Sequence, residues 1–221
     1  MEFTLTWNQE VLLRPTLFNS VAIVLILAIF FIICGMKMKK ADPAKPPKGL
    51  VFLLEYFVTF VENFVIGVMG EKNLKFAPYI GMLMVYLAVA NLIGLLGLTP
   101  PTTDYNVTLA LAIMTIVLMI GSGIKVKGVG SYLRDTYLGN IPVLLPLNIM
   151  SELSKPISLS FRLFGNILSG TIILAVAVES LGWISLVIFP FFNAYFDIFA
   201  GLIQTMIFCM LTMIWSHGAM E

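Results

Sequence analysis

Charge is what this chain has least of. Of its 221 residues only 11% are Asp, Glu, Lys or Arg, where a soluble domain carries about 25%. A water-facing surface cannot be built from so few ions, which excludes an ordinary soluble enzyme. Histidine is nearly absent. The single one, His217, lies four residues from the last residue, so no histidine-based metal site is available and no metal or other cofactor is expected. The two cysteines, Cys34 and Cys209, both lie inside apolar runs and read as inert thiols rather than as a disulfide or a metal pair. A net charge of +1 offers no footprint for nucleic acid. No nucleotide loop is present either: "GSGIKVKG" at 121–128 follows a long apolar run, not a strand.

Long uncharged runs are what remains, and they predict an all-α integral membrane protein. The run 17–36 is too long for the apolar core of a cleavable signal and is followed by Lys37, Lys39, Lys40, Lys45 and Lys48. It reads as a retained first span. A proline-rich break, 41–49, separates it from 50–70. There Glu55, Thr59, Glu62 and Asn63 fall on one helical stripe, the pattern of an amphipathic helix at an interface. A bundle-facing span with buried carboxylates is the alternative. Uncharged segments 76–98 and 107–124 each suffice to cross, with a turn, "TPPTTDY", between them. Segments 146–181 and 183–217 are over-long, so they must tilt, bend at Pro156 or Pro190, or project beyond the bilayer. The expected architecture is about five membrane-crossing helices and one amphipathic interfacial helix, ending in a long tilted helical hairpin, all in one membrane domain. Ten of the thirteen Lys and Arg fall in 37–48, 72–75 and 125–134, and the turn 99–106 has none. That asymmetry predicts an outside N-terminus and a cytoplasmic C-terminus.

Into this apolar chain the sequence places an arginine, Arg162. A charge at the centre of a spanning helix costs about 2.5–3.5 kcal/mol on insertion scales, and a guanidinium does not escape by deprotonation. It needs a partner, a wet cavity or both. Ser151, Lys155, Ser158, Arg162, Asn166 and Ser169 recur at intervals of four, three, four, four and three, which draws one polar stripe along one helix face. Gly165 and Ser169 add small residues that let another helix approach. The plainer reading is an arginine satisfied by a carboxylate inside a static bundle. The last segment carries Asn193, Asp197 and Gln204 at spacings of four and seven. Glu179 lies 17 residues past Arg162, about 25 Å along a helix, while Glu152, Lys155 and Asp135 lie toward the other membrane face. Polar groups thus approach Arg162 from both sides, as along an ion path interrupted by a fixed cation.

"SELSKPISLSFRLFGNILSG", 151–170, strongly resembles the signature of subunit a of F-type ATP synthases, and Gln204 falls where that family has a glutamine close to the arginine. The order of elements is similar too. The resemblance implies a non-enzymatic stator subunit of the ATP synthase complex in an energy-coupling membrane, here a bacterial plasma membrane. It would stand beside a ring of c subunits, with b-type peripheral stalk subunits and the remaining subunits as further partners. It implies two half-channels that pass protons to and from the ring carboxylates, with Arg162 between them. Asn166, Gln204, Asp197, Glu179, Thr171, Asn193, Glu152, Lys155, Ser158 and Ser169 would line the path. Two positions depart from the family. Many members have a carboxylate nine residues after the arginine, where this chain has Thr171. Many have a histidine seven residues before the glutamine, where it has Asp197. Sodium is the alternative ion. Of other classes, a secondary transporter predicts two related halves, which the sequence does not show, and a membrane scaffold leaves the polar stripe unexplained.

Overall fold

The computed structural model describes residues 15–39, 49–96, 98–138, 145–182, 191–192 and 194–221. Among them there is no strand. The order is α1 (Pro15–Lys39), α2 (Leu50–Met69), a 3₁₀ segment (Glu71–Phe76), α3 (Ala77–Leu92), α4 (Tyr105–Lys127), a short α5 (Val129–Leu133), α6 (Leu145–Leu181), a π-helical turn (Tyr195–Ala200) and α7 (Gly201–Met220). Glycines stop two of these helices. Gly70 and Gly128 follow α2 and α4 at φ 76° and 81°, where a side chain would be strained. Asp104 caps α4 by accepting from the Asn106 N–H at 2.9 Å.

Six of the described helices are long and apolar enough to cross a membrane: α1, α2, α3, α4, α6 and α7, two of them, α3 and α7, counted with flanking turns. They comprise the expected spans and the amphipathic helix. In α2 the residues Glu55, Thr59 and Asn63 are exposed, while Val61, Val65 and Met69 are buried against α3. The chain is an integral membrane protein, and its solvent is hydrocarbon. That solvent explains the exposed Phe18, Leu25, Ile26 and Ile32 of α1, which would be a liability in water.

The core is shared by α2, α3, α4, α6 and α7, with Val65, Leu87, Ala112, Leu163, Phe208 and Met213 fully enclosed. Hydroxyls stitch the helices together inside it: Thr115 of α4 meets Thr212 of α7 at 3.3 Å, the kind of interhelical bond that small polar residues make in membranes. The longest helix, α6, has 37 residues and runs through Pro156. Its buried side, including Leu159, Leu163 and Ile167, packs under the α4 end, where Tyr105 lies 5.2 Å from Phe161 and 5.8 Å from Phe164, ring to ring.

Candidate ion pathway

The polar stripe of α6 lies on the side its core contacts leave free. Ser151, Ser158, Arg162 and Ser169 are exposed, and Lys155 and Asn166 are half-buried. At the start of the stripe Lys155 donates to Glu152 and the two charges offset each other. The guanidinium of Arg162 makes no ion pair and no hydrogen bond among the described residues. A bundle that neutralises its arginine internally is therefore not what these residues build. Ser169 and Thr171 donate back to carbonyls of their own helix, at 3.0 Å to Asn166 and 2.8 Å to Leu168. Glu179 is exposed near the helix end, 17 residues beyond Arg162.

Two contacts fix how the last helix lies on α6. Gly170 faces Phe196 so closely that a Cβ there would stand 3.2 Å from the ring. Asn166 Nδ2 donates to the Ala200 carbonyl at 3.5 Å. One turn back on α6 and one turn forward on the other helix, the same antiparallel register brings Arg162 level with Gln204. Gln204 is only 6% exposed, and its Nε2 is buried without a partner. A buried unmatched amide, level with an unmatched cation on the neighbouring helix, is costly for a chain alone. Both groups are held where a further partner is needed.

Asp197 looks elsewhere. It lies in the π-helical turn, the kind of irregularity found at functional sites. A Cβ on Gly94, just beyond α3, would stand 2.7 Å from Asp197 Oδ2, and that oxygen is buried without a hydrogen bond. Only a glycine leaves room for the carboxylate. One turn along, Asn91 of α3 donates to the Gly201 carbonyl at 3.0 Å and to Thr205 Oγ at 3.3 Å, and accepts from Thr102 Oγ at 3.1 Å. A row of polar groups thus leads from the 101–104 turn, along the α3 side of α7, to Asp197 and toward the α6 seam. The spacing of seven between Asp197 and Gln204 suits one face of an ideal helix, and Asp197 meets Gly94 just beyond α3. Asn193 lies outside the described residues, as does the 183–190 connection with Pro190.

Asn91, Gly94, Thr102 and Thr205 were not among the residues expected to line a path. Asn91 carried the one available signal, an amide inside an otherwise uncharged span.

The family described as ATP synthase A chain matches residues 17–217. The chain belongs to that family. It is 31% identical to the ATP synthase subunit a of Mycoplasma pneumoniae over 227 residues, covering 90% of this chain and 78% of that protein. It is 32% identical to the ATP synthase subunit a of Mycoplasma genitalium over 217 residues, covering 85% and 73%. Membership makes it a stator-side membrane subunit of an F-type ATP synthase, working within the complex rather than as an enzyme by itself.

Proposed function

We propose that this chain forms the two half-channels through which protons reach and leave the carboxylates of a ring of c subunits, with Arg162 between them. The observation that carries this reading is the unpaired guanidinium of Arg162, exposed midway along α6 and level with the buried, unmatched amide of Gln204. A bare carboxylate is strongly disfavoured in hydrocarbon, so a ring helix facing lipid carries its acid neutral. Opposite Arg162 the charged form is stabilised, and the proton leaves. The same cation bars protons from crossing directly.

The half-channel on the Thr102 side runs past Asn91 and Asp197, with Gly94 keeping space for the carboxylate. Glu179 and Thr171 contribute from α6, and Asn193 is assigned to the same path. On the opposite side Ser158, Lys155 and Glu152 line the other half-channel, and Ser169 and Asn166 lie beside the ring contact. The peripheral stalk of b-type subunits holds the chain against the turning ring. The orientation is N-terminus outside and C-terminus cytoplasmic, in a bacterial plasma membrane. Each proton descending 100 mV releases about 2.3 kcal/mol, so several must pass for one phosphorylation.

The test is ion-driven ATP synthesis in membranes carrying Arg162→Ala. Assembly of the complex should persist while synthesis is lost, and normal synthesis in that variant would refute the assignment.

A further inference from the structure

Two lysines at one end of the bundle have no acid to meet. Lys75 closes the 3₁₀ segment before α3, and Lys125 lies in the last turn of α4. These helix ends lie together, and both ammonium groups line one cleft of about 550 Å³. Among the described residues neither forms an ion pair, unlike Lys127 with Asp135 at 3.8 Å and Lys155 with Glu152. Lys75 instead lies 5.6 Å above the Phe76 ring, which steadies its stem.

Deeper in, the cleft changes character. Tyr79, one turn past Lys75, forms part of its wall, while its hydroxyl is buried in the protein. Below that the wall is apolar, with exposed Ile113, Met114 and Val117 of α4. From Lys125 to Ile113 is twelve residues, about 18 Å of helix, and one leaflet's share of a ~30 Å hydrocarbon core is about 15 Å. Cations at the rim and an apolar trough of leaflet depth follow the order of phosphate and acyl chain in a phospholipid. The two unpaired cations select an anionic headgroup, since basic pockets between spanning helices attract one and a zwitterionic lipid would bring its own cation to them.

We infer that this cleft binds one anionic diacyl phospholipid, its phosphate between Lys75 and Lys125 and an acyl chain along Val117 and Ile113. The site lies on α3 and α4, away from the α6 stripe, and stands whether or not the pathway is assigned correctly.

The test uses the purified complex in phosphatidylcholine vesicles with a trace of photoreactive phosphatidylglycerol. Illumination should label peptides within 113–126. Unlabelled phosphatidylglycerol should compete and phosphatidylcholine should not. Lys75→Gln with Lys125→Gln should cut labelling about ten- to thirtyfold, at roughly fivefold per lysine. Equal competition by the two lipids overturns the inference. So does unchanged labelling in the double variant, or absence of lipid label because a protein chain covers the cleft. Should the double variant not assemble, the competition on the unaltered complex decides alone.

Discussion

A guanidinium keeps its proton at every pH a cell meets, so Arg162 acts as a fixed charge rather than as a relay. On the proposed mechanism, truncation to alanine removes the group that stabilises a charged ring carboxylate in hydrocarbon. Ion-driven synthesis should fall at least about a hundredfold, equivalent to roughly 2.7 kcal/mol, with the complex still assembled. Arg162→Lys should recover little, since an ammonium lacks the planar fork and gives up its proton more readily in apolar surroundings. Synthesis rates in inverted membrane vesicles check both. Asn91 makes a different kind of contribution. Its three bonds join α3, the 101–104 turn and α7. At about 0.6 kcal/mol per interhelical bond in a membrane, Asn91→Ala should cost about 2 kcal/mol, read as a lower melting temperature of the detergent-purified complex. Gly94 sets up a test that separates packing from passage. Gly94→Val forces a side chain into the Asp197 carboxylate, and both stability and synthesis should drop. Adding Asp197→Ala should restore the melting temperature without restoring synthesis. Recovery of both would show that Asp197 only fills space.

Between α6 and α7 the seam depends on a glycine. Gly170→Leu places new atoms against Phe196, an overpacking of about 1–3 kcal/mol that should disturb the hairpin before any other element. The register itself is open to a direct check. Cysteines at Asn166 and Ala200 should form a disulfide under mild oxidation, whereas a cysteine at Ser160, which is buried, should not pair with one at Ala200. Failure of the first pair would undo the alignment of Arg162 with Gln204. Much of α6 was legible beforehand, because Ser151 to Ser169 repeat with the helical period and that period alone assigns them to one face. The over-length of 146–181 was legible too, from composition. What faces Asp197 was not. Gly94 lies about a hundred residues away on another helix, and periodicity within one segment carries no information about which helix packs opposite. The π-helical turn was hidden for a related reason. It breaks the very period by which a helix is read, so its place at Tyr195–Ala200 could not be read from spacing.

The described residues hold six helices apolar and long enough to cross a membrane, with a core on one side of α6 and a polar stripe on the other. Its 37 residues span about 55 Å, far more than the ~30 Å of hydrocarbon, so α6 slants or protrudes. The ion it serves is testable only at this scale, since the chain offers oxygen ligands and no imidazole in the core. His217 sits at the far end, 3.2 Å from Glu221. On the proton assignment, ATP hydrolysis by the purified complex at fixed pH should be indifferent to added sodium. Strong activation by millimolar sodium, with sodium shielding the ring from carbodiimide, would assign the path to sodium instead.

The unpaired charge on α6 bears on how such a complex is made. A membrane helix with an unmatched cation at its middle sits uneasily in lipid, and the ring carboxylate proposed to relieve it belongs to another chain. On that proposal the solitary subunit is expected to be an intermediate of biogenesis, open to membrane proteases until the ring arrives. In cells without the ring its half-life should be short, and Arg162→Leu, inactive though it is, should lengthen it.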